Sequence, residues 1–145
     1  MSRILLSCSA FVVTVVLSTL AGCGQSPYSG ETRYPLKGTV TLDGTPIDGG
    51  SISFMPLDDK HKVAGGAITN GTYSVPENQG ANAGAYRVEV HWMKPTGKKI
   101  PDSDLGGTMD EVKEVIPPKY STFNSELTAN VDGSNTEFNF ELLSK

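Results

Sequence analysis

The side chains best suited to acid–base or metal chemistry are two histidines, and their sequence settings differ. His61 lies in the polar run DDKHK, where Asp58 and Asp59 precede it, which favours a solvated loop between strands over a metal site. His91 falls on the polar side of an alternating run, which favours a surface histidine over a catalytic base. A closed zinc site needs about four ligands in a fixed geometry. We therefore predict no metal or cofactor at either histidine.

The acidic segment DSDLGGTMDEVKE, residues 102–114, is a second candidate, because at first sight it resembles a calcium-binding loop. Counted from its first residue, an EF-hand loop needs an oxygen ligand at the fifth position and a bidentate glutamate at the twelfth, where this chain has Gly106 and Lys113. We favour an acidic flexible loop, and a non-standard, weak calcium site is the alternative. The ligands of such a site would be four carboxylates: Asp102, Asp104, Asp110 and Glu111.

The hydroxyl and aromatic side chains predict no enzyme. The chain has no G-x-S-x-G nucleophile elbow, and Ser51 and Ser53 fall on the polar side of an alternating run. Trp92, the one tryptophan, is in register with inward-pointing residues and is predicted to pack in the core. Tyr73 and Tyr120 are candidates for exposed aromatics, but two rings are too few for a carbohydrate platform. We expect a non-catalytic protein.

The first 22 residues have the composition of an export signal. One positive charge, Arg3, precedes an uncharged apolar run over residues 4–20. The run ends in Leu20-Ala21-Gly22-Cys23, which matches the bacterial lipobox, where a signal peptidase cuts before a cysteine that carries diacylglycerol on its sulfur. An uncleaved membrane-spanning helix is the alternative, because the run is near the lower length limit for crossing a bilayer. The pattern predicts a signal helix over residues 1–22, cleavage between Gly22 and Cys23, and lipidation of Cys23.

The mature chain is predicted to stand clear of a membrane in the cell envelope. Residues 24–33 are small and polar, which is typical of a flexible tether that extends by roughly 3 Å per residue. The second mature position is Gly24 and not aspartate, which by the sorting rule of enteric bacteria predicts the outer membrane, with a periplasmic or surface-facing domain. The net charge of −4 disfavours nucleic acid. The expected partners are the membrane, through the lipid on Cys23, and an envelope protein or glycan.

From Tyr34 onward the apolar period is two, which is typical of half-buried strands. In the first strand Leu36 and Val40 are predicted to point inward, and Lys37 and Thr39 outward. The alternation predicts an all-β fold, a seven-stranded antiparallel β-sandwich over residues 34–143. Its strands are predicted within 34–42, 51–54, 62–69, 71–76, 84–92, 125–133 and 135–143.

Turn signals separate these strands, and one long segment lacks a clear pattern. Asn70-Gly71 predicts a tight hairpin, and Asp43 and Asp48 are expected to stabilise turns in the glycine-rich run after the first strand. A DGSN turn is predicted to join the last two strands. Residues 93–124 are rich in proline, glycine and charge and are expected to be irregular, with 108–115 as either one helical turn or a short extended piece.

Four stretches together resemble a known family: YPLKGTVTLDGTPIDGGSISFMP, GGAITNGTYSVP, GAYRVEVHW, and the segment from VIPPKY to the last strand. They are similar to the small planctomycete lipoproteins with a carboxypeptidase regulatory-like, or transthyretin-like, domain. The resemblance implies a transthyretin-like or prealbumin-like, immunoglobulin-like sandwich on a lipid anchor. Because the related domain of zinc carboxypeptidases is an accessory to a catalytic domain, it also implies a structural or adhesive role. A module that binds a peptide, glycan or calcium through residues 93–124 is the alternative.

Overall fold

A computed structural model describes residues 30–104 and 106–145 and shows an all-β chain. The predicted signal and the Gly22–Cys23 cleavage and lipidation position lie outside these residues. Within them, no helix has the length and apolar character needed to cross a bilayer. The elements in chain order are β1 (Arg33–Tyr34), β2 (Leu36–Leu42), β3 (Thr45–Pro46), β4 (Ser51–Pro56), β5 (Ala64–Thr69), β6 (Thr72–Val75), a 3-10 turn (Glu77–Gln79), β7 (Ala81–Asn82), β8 (Gly84–His91), β9 (Met93–Pro101), β10 (Thr108–Glu114), α1 (Pro118–Ser121), β11 (Thr128–Val131) and β12 (Phe140–Leu142).

Alternation of apolar and polar residues produces the strands of the main sheet. In β2, Leu36 and Val40 are fully buried while Lys37 and Thr39 are exposed, as predicted. The same alternation recurs in β6, where Tyr73 is buried between exposed neighbours. Tyr73 is therefore a core residue and not the exposed aromatic that the sequence suggested, and Tyr120 is also buried.

Two tight turns follow from residues that accept positive φ. Asn70 and Gly71 have φ of 50° and 74° and close the β5–β6 hairpin, which confirms the predicted turn. Asp43 and Gly44, with φ of 50° and 77°, make the equivalent turn between β2 and β3. The carboxylate of Asp43 accepts the backbone N–H of Ser144 at 3.0 Å, so it ties the C-terminal segment to this turn.

The main sheet has eight strands: the seven predicted segments lie on the path β11-β8-β4-β5-β6-β2-β12, and the two-residue β3, which was not predicted, pairs with β2. Its neighbours pair antiparallel except β12, which runs parallel to β2. The predicted hairpin between the last two strands is wrong: β11 pairs with β8 and β12 pairs with β2, at opposite ends of the sheet order. The carbonyl of Thr136 accepts the backbone N–H of Lys37, and the N–H of Phe138 donates to the Lys37 carbonyl, which guides the chain to β2, where Phe140 and Leu142 become buried.

The sheet curls around Phe54, which is fully buried on β4. The curl arises because β5 pairs with β4 over residues 64–67 and with β6 over residues 68–69. As a result, the Phe54 ring has Tyr73 and Phe138 at centroid distances of 6.0 and 6.1 Å, and Tyr86 at 6.5 Å. Edge-on and tilted contacts at such distances are favourable for aromatic rings. These rings form the centre of the core.

Residues 93–114 form a two-stranded antiparallel ribbon of β9 and β10 that is separate from the main sheet. The expectation of an irregular loop over 93–124 is therefore wrong for most of its length, whereas the extended alternative for 108–115 is confirmed over β10. Pro95 and Pro101 argued against a strand, but β9 has only one paired edge within the described residues, and an edge strand tolerates proline. After the ribbon, Ile116 and Tyr120 return to the core.

Candidate functional site

The ribbon, residues 93–114, is the most exposed part of the described fold. At about 3.3 Å per residue, the nine residues of β9 extend over roughly 30 Å. Four large apolar side chains of the ribbon are between 37% and 52% exposed: Met93, Ile100, Met109 and Val112. Exposed apolar patches mark interaction sites on protein surfaces, so the ribbon is the candidate interaction surface of the described fold.

The pairing register assigns these side chains to two faces. Val112 lies opposite Pro95 on one face, and Met109 lies opposite Ile100 on the other, since successive residues of a strand alternate between faces. A bulge separates the two pairs, because three residues of β9, Thr96 to Lys98, lie opposite Glu111 alone. Each face thus has its own exposed apolar pair.

The four carboxylates that the sequence suggested as calcium ligands all lie on the ribbon, and the structure gives three of them other partners. Asp110 pairs with Lys99 at 2.8 Å, and Glu111 accepts the hydroxyl hydrogen of Thr96. Asp102 accepts the backbone N–H of Asp104 at 2.9 Å. Within the described ranges, no group of three or more histidine, cysteine, aspartate or glutamate side chains is placed to hold a metal ion.

Glu114 fastens the base of the ribbon to the domain. One of its carboxylate oxygens, Oε1, accepts the backbone N–H groups of Trp92 and Ile116, each at 2.9 Å, and Oε2 lies 2.9 Å from Nδ1 of His91. Burial alone would raise the pKa of Glu114, but the two N–H groups and His91 outweigh it and hold that pKa below its usual value. The sequence did not single out Glu114. Its partners are His91, the last residue of β8, and Trp92 and Ile116, which flank the ribbon at its base.

His91 is half-exposed on the polar side of β8, as predicted. Ser51, the exposed first residue of β4, lies opposite His91 in the β4–β8 register. The ring of His91 directs Nδ1 to Glu114, so the described contacts give this histidine a role in holding the ribbon.

Trp92 joins the ribbon to the core. Its indole is partly buried against the core cluster, so the predicted core position is confirmed for part of the ring. The ammonium of Lys94 lies 3.7 Å from the centroid of that ring and 3.5 Å from the carboxylate of Asp48. A cation over an aromatic face stabilises this arrangement by roughly 0.5–1 kcal/mol at exposed sites. The base of the ribbon is therefore held on both sides, by Glu114 and by Trp92.

His61 occupies a different part of the domain and is more enclosed than the sequence suggested. Its side chain is 14% exposed and lies between two carboxylates, with Nδ1 2.8 Å from Asp58 and Nε2 2.9 Å from Glu31. The backbone N–H groups of His61 and Lys60 hold the pKa of Asp58 below its usual value. The contact between His61 and Glu31 links the start of the described chain to the β4–β5 connection.

Comparison with known proteins adds no relative: a scan against protein-family models and searches of curated proteins and of solved structures gave no match.

Proposed function

We propose that this chain is a lipid-anchored protein of the cell envelope whose non-catalytic β-sandwich has a structural or adhesive role and contacts other envelope molecules through the ribbon. The anchor rests on the lipobox that ends at Cys23. The role rests on the ribbon, whose charged and apolar side chains face outward from a well-packed domain. The membrane is then the first partner, and an envelope protein is the second.

The finer fold assignment is part of the same proposal. Seven strands make up the ordered path of the main sheet, and rings from separate strands meet around Phe54. Both observations support a seven-stranded, transthyretin-like or immunoglobulin-like sandwich. On this assignment the ribbon is an insertion between β8 and α1.

The exposed apolar side chains of the ribbon carry the interaction role. Full burial of a side chain of this size contributes about 1.5–3 kcal/mol, and because Met109 and Val112 are about half exposed, covering either one contributes roughly half of that. A partner that covers either face of the ribbon would gain this stabilisation.

Site-specific photo-crosslinking in the native envelope tests the interaction role. A photoreactive amino acid at Met109 is expected to give covalent adducts with one or a few envelope proteins, whereas the same group at Ser74, exposed on β6, gives none above background. Equal labelling from both positions, or no adduct from Met109, would contradict the proposal.

Metabolic labelling tests the anchor. We expect Cys23→Ser to leave an unprocessed precursor without palmitate, and the matched variant Cys8→Ser, within the predicted signal, to be processed and labelled normally. A Cys23→Ser protein that is still processed and labelled would show that the lipobox assignment is wrong.

A further inference from the structure

The two strands of the ribbon have chemically different outer edges. β9 contains Pro95 and Pro101, which lack a backbone N–H, and it carries the bulge at Gly97. β10, with the sequence TMDEVKE, contains no proline and stays regular across the bulge. In the part of the chain that the structure describes, β10 pairs only with β9. Proline and bulges block pairing at an edge, so β10 is the open edge of the ribbon.

We propose that β10 pairs antiparallel with β10 of a second copy of this chain, centred on Val112, to make a continuous four-stranded sheet. This inference rests on the interaction role proposed above and names the partner. Strand addition at an open edge satisfies backbone N–H and C=O groups that otherwise bond to water, and side chains then select the register.

Symmetry and charge restrict that register. A two-fold axis through an antiparallel strand pair is perpendicular to the sheet, so paired residues must share a face and differ by an even number of positions. A register centred on Glu111 places two like charges directly opposite each other, which is unfavourable. A register centred on Val112 places Glu111 of each copy opposite Lys113 of the other, which makes two ion pairs.

The register centred on Val112 also aligns the exposed apolar side chains of the ribbon. On one face, Pro95 and Val112 of each copy form one row across the four strands, because these two residues are already opposite each other within the ribbon. On the other face, Met109 of each copy lies opposite Val115 of the other and beside its own Ile100. Val115 is itself exposed, so this contact covers it as well.

Two symmetry-related pairs in this register consist of two acids each, Asp110 of one copy opposite Glu114 of the other. Both already have partners of opposite character within their own copy. Asp110 is 2.8 Å from Lys99, and Glu114 accepts two backbone N–H groups and contacts His91. The repulsion between them is therefore reduced, whereas Lys113 is exposed and available to Glu111 of the second copy.

Disulfide trapping of the full chain in detergent micelles tests the register. In the proposed dimer the two Cβ atoms of residue 112 lie about 5 Å apart, close enough for a disulfide after small adjustments. We expect Val112→Cys to give a reducible dimer on oxidation. A dimer trapped through Glu111→Cys would indicate the alternative register centred on Glu111. The amount of dimer trapped through Lys98→Cys measures random collision of exposed ribbons. The unsubstituted chain shows the background from Cys8 and Cys23.

Charge reversal in the Val112→Cys background tests the ion pairs. Glu111→Lys or Lys113→Glu alone turns two attractive pairs into two repulsive ones and is expected to lower the trapped fraction about tenfold. The double reversal restores both pairs and the trapped fraction. Trapping at residue 112 no greater than at residue 98, or a double reversal as weak as the single ones, overturns self-pairing.

The two proposals fail in different ways. If Val112→Cys gives no dimer while a photoreactive group at Met109 still labels another envelope protein, self-pairing is wrong and the interaction role stands. If neither assay gives an adduct above its control, the interaction role fails as well.

Discussion

The attachment of the ribbon depends on one carboxylate, and Glu114→Ala removes it. The substitution deletes two hydrogen bonds to the backbone N–H groups of Trp92 and Ile116 and the contact with His91. Hydrogen bonds to a charged group contribute about 1.5–3 kcal/mol each. Partial exposure of this carboxyl reduces that contribution, so we expect a loss of about 3 kcal/mol in the free energy of unfolding. Glu114→Gln keeps one oxygen as acceptor and is expected to lose about 1 kcal/mol.

Urea unfolding of residues 24–145 measures this loss with two probes. Far-ultraviolet circular dichroism follows the whole fold, and the fluorescence of Trp92, the one tryptophan, follows the base of the ribbon. The matched control is Glu111→Ala, on the same strand, whose carboxylate accepts only a hydroxyl from Thr96 among its described contacts; its effect is expected to stay within about 0.5 kcal/mol. Equal midpoints for Glu114→Ala and the unsubstituted protein would refute the assigned role of the carboxylate.

The pH dependence of the free energy of unfolding provides a second check that the Glu114 carboxylate stabilises the fold. Because the pKa of Glu114 is lower in the folded state than in the unfolded state, its contribution is present above the unfolded value of about 4.3 and is lost as the pH falls through the folded value. The difference between the unsubstituted protein and Glu114→Ala should therefore shrink as the pH falls from 5 toward 3. A difference that grows between pH 5 and pH 3 would contradict the assignment.

Three further substitutions test the aromatic core, a close backbone contact in β2 and a tight turn. Phe54→Ala, at the fully buried centre of the aromatic cluster, is expected to cost about 3–5 kcal/mol in urea unfolding, and a cost below about 1 kcal/mol would contradict the packing. Gly38→Ala places a Cβ 1.8 Å from the carbonyl oxygen of Phe138, so we expect more than about 3 kcal/mol or failure to fold. Gly44→Ala has open space around the new Cβ and only a positive φ to oppose it, so about 1 kcal/mol is expected from the same measurement. Similar losses for the two glycine variants would show that the steric argument is wrong.

Much of the main sheet could be predicted from the sequence because its signals are local. Alternation along a strand decides which side chains of β2 and β6 are buried, and the Asn70-Gly71 dipeptide decides the hairpin between β5 and β6. The partners of the last strand could not be read in the same way. β12 follows β11 closely in the sequence, yet burying Phe140 beside Phe54 requires it to lie next to β2, about a hundred residues earlier.

At the candidate site, too, the residue types were visible in the sequence and their partners were not. The acids of residues 102–114 were visible in the sequence, but the cross-strand register decides that Asp110 meets Lys99 and that Glu111 meets Thr96. Glu114 looked like one more surface acid, and its importance appears only where the chain segments that enter and leave the ribbon converge on it, through His91 and Trp92 on one side and Ile116 on the other.

The sequence by itself determined the strand-forming character of the chain and its tight turns, because each depends on residues that are neighbours along the chain, and the lipobox proposed at Cys23 is a local pattern of the same kind. Only the tertiary structure decided the parallel pairing of β12, the burial of Tyr120 and the projection of residues 93–114 as a ribbon with one open edge. These features depend on which strands meet, and that choice is made by burial of apolar surface and by backbone hydrogen bonding between segments far apart in sequence.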